Sequence, residues 1–404
     1  MSALLTLEEA QARLLALAPQ PALTRSGVSI AHGAYLAEDL LAMRTQPAAD
    51  LSAMDGYAIC GDGVAGTNGT WTLVGESRAG LPFDGALKDS QCVRISTGAH
   101  VPSGGISVLI QENAHVDGDT ISLAPDEQAP EAGRHIRKAG FDFTKGETVL
   151  RKGTRMGPAQ IALALSAGHD TILHRGMPYT SVLDSGSELT QFAADCQPHQ
   201  IPASNGAMIA GMLRPFTGLV ENLGPVPDDM DSLAAALDKA DGHILITSGG
   251  ASVGDHDLMQ AALKAWGAEI DFWKVGIKPG KPLMVATRGK GGERQVILGL
   301  PGNPVSSFVT AFLFALPLVK AALGDPEPLP KPTYVKSAEA LPAVGTRREF
   351  LRGVCDGATV KRAASQDSSA LLALASSNCL IDRPAGSDAV AIGQLVPIFH
   401  LENG

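Results

Sequence analysis

The stretch TSGGASVGDHD, residues 247–257, sets glycines and hydroxyls where a loop could hold an anion, next to acids that should repel one. Gly249 and Gly254 have the spacing of a Walker A loop, but Asp255 and His256 stand where that motif needs its lysine and hydroxyl. The GxGxxG dinucleotide pattern fails as well. What remains is a loop whose backbone N–H groups, with the hydroxyls of Ser248 and Ser252, can meet an anion at a helix N-terminus. The plainer alternative is a tight strand-to-helix turn capped by Asp255 or Asp257.

Three further loops carry groups of the same kind. In LGLPGNPVSSF, Pro301 and Pro304 each fix φ and remove a donor, so the loop is stiff and presents Ser306 at the first turn of a helix. KVGIKPGKP brings Lys274, Lys278 and Lys281 round a Pro-Gly turn and supplies the cations that the first loop lacks. VLDSGSELT sets Asp184 and Glu188 after a strand, and PDDMDSL opens a helix with Asp228 and Asp229, where acids favour the helix dipole in any case. A rigid connector, a solvated basic turn and an ordinary cap are the bland readings of these loops. Together they suggest chemistry instead. Carboxylates and phosphates share a site when a hard cation lies between them, and Mg2+ takes one or two carboxylates plus phosphate oxygens. Glu188 and Asp257, with Asp228 or Asp229 nearby, are the acids for such a site.

These loops need a scaffold of alternating strands and helices. From about residue 178, YTSVL, GLVENLG, HILIT, IDFWKVG, PLMVAT and QVILGL read as strands. NGAMIAGML, DMDSLAAALDKA, LMQAALKAW and VSSFVTAFLFALPLVKAAL read as helices among them. The alternation predicts a parallel-rich sheet covered by helices, with ligands at the carboxyl ends of its strands. Residues 47–145 hold short β-like runs between Gly, Pro, Asp and Asn: WTLVGES, CVRIS, SVLIQEN and TISLA. GDPEPLPKP is a proline-rich linker, and FLRGV, TVKRA, LLALA, CLIDRP and QLVPIFHL beyond it read as a small β-domain. Residues 1–46 read as helical with a short extended piece, opened by a capping box of Thr6 and Glu9, and a helix is expected at PAQIALALSAG.

Composition bounds the partners. A net charge of −10 and 4% aromatic residues over 404 positions argue against a nucleic-acid partner. Five cysteines without a CxxC fit a reduced, cytoplasmic protein rather than a disulfide framework or a zinc site. The N-terminus has no basic n-region, so it does not read as a signal peptide. FVTAFLFALPLV contains Pro317 and reads as a buried helix rather than a membrane span. By themselves, Asp55-Gly56 and Thr97-Gly98 read as turn dipeptides, and Arg352, Ser368 and Ser369 carry little.

In their order along the chain, LSAMDGYAI, RISTGAHVP, DSGSEL, TSGGASVGDHD, KPGKP, LGLPGNPVSS and FLRG resemble the MoeA family of molybdopterin molybdenumtransferases, which includes the C-terminal domain of gephyrin. The resemblance covers about residues 47–370. It implies a multidomain α/β plus β protein with four domains: an elongated connector (1–46 and 146–177), an inserted β-rich domain (47–145), a molybdopterin-binding α/β domain (178–325) and a C-terminal β-barrel (326–404). It also implies the reaction: with Mg2+ and molybdate, adenylylated molybdopterin is cleaved to AMP and molybdenum cofactor. By motif position, Gly249, Gly250, Ser252 and Gly254 would hold the pyrophosphate, and Glu188 and Asp257 the metal. Lys278, Lys281, Ser306, Arg352 and Ser368 (or Ser369) would form a molybdate pocket, with Pro301 and Pro304 shaping the substrate site and Lys274 adding positive potential. Asp55, Thr97 and Asp228 are implied as catalytic or substrate-positioning residues. A homodimer is implied, with Asp55 and Thr97 facing another subunit, as is contact with an upstream adenylyltransferase and with molybdoenzyme chaperones. Tungstate insertion and a gephyrin-like scaffold role are the rival readings.

Overall fold

The structure is a computed structural model, and it describes residues 4–61, 69–249, 258–289, 291 and 294–402. The chain divides into two compact units. One comprises residues 1–25, 33–37 and 173–404, the other residues 26–32 and 38–172.

The first unit is built on a six-stranded sheet, in the order Leu219–Asn222, Tyr179–Asp184, Ile244–Ser248, Gln295–Leu300, Pro282–Arg288, Glu269–Lys274. The first four strands run parallel, and the last two pair antiparallel at the edge. The central strands are apolar almost throughout because both faces are covered, as a helix-layered parallel sheet requires. Their side chains alternate between two cores. Val182, Ile244, Ile246, Val296 and Leu298 pack towards helices Leu7–Leu15, Asn205–Leu213 and 304–323. Leu183, Leu245 and Ile297 pack towards Met230–Leu237 and Leu258–Ala265.

The segment 304–323 is one continuous helical run with a π-helical turn at Ala311–Ala315. Twenty residues long and apolar, it would be long enough to cross a membrane, but 83% of its most apolar window is buried inside the fold. Pro317 has no N–H to offer the carbonyl of Leu313 four residues earlier. Gln11 Nε2 donates to that carbonyl at 2.9 Å from the N-terminal helix, which fixes the buried Gln11 in turn. That helix begins with the expected capping box, Thr6 and Glu9 each satisfying the other's backbone N–H.

Past the proline-rich linker, strands Thr333–Ser337, Arg348–Cys355, Thr359–Arg362, Cys379–Arg383 and Leu395–His400 join Ile277–Lys278 in a second six-stranded sheet. Arg348–Cys355 pairs with Cys379–Arg383 as well as with Thr359–Arg362, which closes the sheet into a small barrel. LLALA is not a strand of it. Leu371–Ala375 is a short helix: Ala and Leu favour that state, and its buried pair, Ala373 and Leu374, is contiguous rather than alternating.

In the second unit, a six-stranded sheet runs Ser107–Ile110, Gly56–Ile59, Gln91–Ile95, Thr70–Ser77, Thr120–Leu123, Ala114–Asp117. Gly56–Ile59 is buried on both sides, with Tyr57 and Ile59 in one cluster and Ala58 in another. Two expectations need correction. Of residues 1–46, the described ones (4–46) are helical only over Leu7–Leu15 and the three-residue turn Val28–Ile30; their remainder is extended or irregular, as its prolines and glycines require. Asp55-Gly56 is not a turn: Gly56 opens a strand, and a Cβ there would lie 2.0 Å from the Leu109 carbonyl oxygen.

Candidate functional site

Three parallel strands end side by side at Asp184, Ser248 and Leu300. The loops that leave them enclose a cavity of about 710 Å3, lined among others by Asp184, Glu188, Asn205, Gly249, Pro301, Pro304 and Ser369. This is the strand-end crevice where α/β sheets bind ligands. Gly249 has φ +91°, and a Cβ there would meet the Ser185 carbonyl oxygen at 2.4 Å, so only glycine admits the approach of the two loops. Gly250, Ser252, Gly254 and Asp257 lie outside the described residues.

The floor of this cavity is rich in acceptors. Asp184 is buried, with Oδ2 accepting from the Gly206 N–H at 2.8 Å and Oδ1 without a partner among the described residues. Burial pushes its carboxyl up, and the Gly206 hydrogen bond pulls against that. Asn205 Nδ2 donates to Ser248 Oγ and the Gly302 carbonyl, while its Oδ1 has no partner among the described residues either. Glu188 is exposed along the wall.

Asp228 has a different task. Its Oδ1 accepts from Ser185 Oγ at 2.6 Å, its Oδ2 from the Ser187 N–H at 3.4 Å, and its own N–H donates to Ser187 Oγ. It ties down the loop that carries Glu188 and does not line the cavity. Asp229 is the N-cap of Met230–Leu237, and the Ser232 N–H holds its carboxyl below the usual range.

A second cavity, about 330 Å3, lies where the barrel meets the same sheet. Lys278, Ser306, Arg352 and Ser368 line it together, with Glu349, Gln366 and Asp367. Arg352 is 1% exposed. Its Nη2 donates to the carbonyls of Ser365 and Asp367, and among the described residues its Nε has no partner and no ion pair holds it. Burial lowers its pKa, and Asp367 offsets part of that. Gln366 braces its backbone from both sides. Lys278 Nζ is paired with Glu349 Oε1 at 2.9 Å. The two cavities adjoin through Asn303, which lines the first and donates to Ser368 Oγ of the second at 3.3 Å. Ser368 thus faces one cavity and Ser369 the other.

The remaining expected residues are dispersed. Lys274 and Lys281 line neither cavity, although the Lys281 carbonyl accepts from the Val275 N–H. Asp55 and Thr97 belong to the second unit. There the Thr97 N–H donates to Asp55 Oδ1 at 2.6 Å and, with the Thr97 hydroxyl, holds that carboxyl below its ordinary value. The sequence reading passed over Asn205, Glu349 and Gln366. The signal for Asn205 was its place at the head of a helix behind a strand-end loop, and for Glu349 its place just before FLRG.

A parallel-rich sheet with an acceptor-lined cavity at its strand ends, beside a closed barrel and a pocket that holds Lys278 and Arg352 with Glu349 and Asp367, defines a multidomain α/β plus β protein. The sequence matches the MoeA N-terminal region (domain I and II) over residues 5–168, a probable molybdopterin binding domain over 181–321 and the MoeA C-terminal region (domain IV) over 334–401. The chain belongs to the MoeA family. It is 32% identical over 414 residues to the molybdopterin molybdenumtransferase of Haemophilus influenzae, covering 98% of this chain and 100% of that one. It is 32% identical over 384 residues to molybdopterin molybdenumtransferase 2 of Mycobacterium tuberculosis H37Rv, covering 92% and 93%. A crystal structure of the molybdopterin biosynthesis moeA protein of Pyrococcus horikoshii OT3 superposes with a TM-score of 0.82 at 24% identity, over 99% of this chain and 100% of that one, and shares the fold.

Proposed function

We propose that this chain is a molybdopterin molybdenumtransferase, which cleaves adenylylated molybdopterin in the presence of Mg2+ and molybdate to give molybdenum cofactor and AMP. The observation that carries the reading is the smaller cavity: a buried arginine whose Nε has no hydrogen-bond partner and which has no ion-pair partner among the described residues, beside Lys278 and two serines. A tetrahedral dianion suits these donors, because charge-assisted hydrogen bonds from guanidinium and ammonium groups are the strong ones. Ser306, Ser368, Lys278 and Arg352 would bind molybdate there, and Lys281 and Lys274 would add positive potential from outside it.

The larger cavity then takes the pterin and its pyrophosphate, with Gly249, Gly250, Ser252 and Gly254 on the phosphates and Pro301 and Pro304 as its stiff wall. Glu188 and Asp257 would hold Mg2+, which supplies charge stabilisation at the bond that breaks. Glu188 is an oxygen donor standing free along the wall, which suits a hard cation. Asp228 positions the Glu188 loop. In the second unit, Asp55 and Thr97 form a hydrogen-bonded pair that serves substrate or its positioning. The reading includes a cytoplasmic homodimer of four domains, divided at residues 1–46 with 146–177, 47–145, 178–325 and 326–404, which meets an adenylyltransferase upstream and molybdoenzyme chaperones downstream.

Glu188→Gln tests the metal assignment. Even outer-shell partners are worth about 10–100-fold in metal affinity. The Mg2+ concentration for half-maximal AMP release should therefore rise by roughly tenfold or more, with melting unchanged because the side chain is exposed. An unaltered Mg2+ requirement would remove Glu188 from the metal site.

A further inference from the structure

Glu349 stands in the middle of a charged row. In the barrel sheet, Lys278 is its register partner on one neighbouring strand and Arg383 its partner on another. Residues paired across strands project to the same face. On one side, Lys278 Nζ donates to Glu349 Oε1. The Glu349 side chain is 21% exposed and that of Lys278 57%. On the other side, Arg383 is 2% exposed. Its Nη2 donates to Ser387 Oγ and the Asp388 carbonyl, and its Nη1 is buried without a partner among the described residues. Burial lowers the Arg383 pKa and the charge of Glu349 offsets part of that, so Arg383 already senses the carboxylate.

A carboxylate that lines an anion pocket competes with the anion. We propose that Glu349 is a movable counter-anion that sets oxyanion selectivity: it holds Lys278 while the pocket is empty and passes to Arg383 when a tetrahedral dianion takes Lys278. The inference rests on the oxyanion reading of this cavity. The exchange changes ion-pair partners only and needs no bond or proton transfer. Its consequence is discrimination. A monoanion gains from Lys278 no more charge attraction than Glu349 already supplies. A dianion, drawn also by Arg352, displaces the carboxylate, and the free Nη1 of Arg383 receives it.

Titration calorimetry of molybdate and of perchlorate, a tetrahedral monoanion, into the full chain tests this at fixed ionic strength. Glu349→Gln should bind molybdate about fivefold tighter, the scale of a partly exposed ion pair, and should lose preference for molybdate over perchlorate. Arg383→Gln should weaken molybdate binding about threefold or more in the native background and leave it unchanged in the Glu349→Gln background, since coupled sites are non-additive. Should Arg383→Gln fail to fold, the Glu349→Gln titration decides alone. Molybdate binding that is unaltered or weaker in Glu349→Gln would overturn the proposal while leaving the oxyanion pocket intact. An Arg383→Gln effect of equal size in both backgrounds would overturn it too. No molybdate binding in any variant would overturn the oxyanion reading, and this proposal with it.

Discussion

Asp184 shows what a single buried carboxylate costs this fold. One oxygen is held by the Gly206 N–H and the other has no donor among the described residues, in a space so tight that a Cβ on Gly206 would lie 2.6 Å from Oδ2. Burial raises its folded pKa above the unfolded value. Such a group favours folding below the unfolded pKa and loses that contribution as pH rises through the folded pKa. The charge that Asp184 takes on as pH rises through its folded pKa weighs against the fold. Asp184→Asn keeps an acceptor for Gly206 and removes the charge. It should stabilise the protein by about 1–3 kcal/mol at pH 8, the desolvation cost of an unsatisfied buried group, and by little at pH 3. Denaturant titrations at the two pH values measure this, and a loss of stability at pH 8 would contradict it. At this scale the sequence was partly legible. Arg352, Lys278, Ser306 and Ser368 come together in one pocket, and DSGSEL and LGLPGNP sit at strand ends. The ion pair that ties Lys278 to Glu349, and the role of Asp228 in fixing its neighbour's loop, depend on register and loop closure, which no local pattern encodes.

Among the elements, periodicity served best where a segment is buried on both faces or strictly amphipathic. All six strands read from the α/β half form one sheet, and its central strands, the continuous β-branched and aliphatic runs Ile244–Ser248 and Gln295–Leu300, leave few alternatives. It failed at LLALA, where a short apolar run fits helix and strand alike, and packing against the core chose the helix. The buried helix expected at FVTAFLFALPLV forms with Pro317 inside it, where a π-turn and a buried glutamine accommodate the proline. This accommodation can be measured. Gln11→Leu should destabilise the protein by about 1–3 kcal/mol, since it strands a buried carbonyl. In a Pro317→Ala background the helix can supply its own N–H, and the same substitution should cost appreciably less. Chemical denaturation of the four variants gives the coupling, and a cost equal in both backgrounds would mean that Gln11 acts only by packing.

For the whole molecule, a chain of net charge −10 still places one guanidinium, that of Arg352, buried in the lining of the smaller cavity, where it is shielded from salt. The change of rhythm along the sequence, near residues 47 and 178, carries no sign of the chain's return into the first unit at residues 33–37. The central claim is that molybdate and adenylylated molybdopterin react on this protein. The direct measurement is AMP release by the purified full chain with adenylylated molybdopterin and Mg2+, followed as molybdate is titrated. Release that rises with molybdate, saturates, and is lost in Arg352→Met is the predicted result. AMP release that is absent, or the same with and without molybdate, would contradict the account.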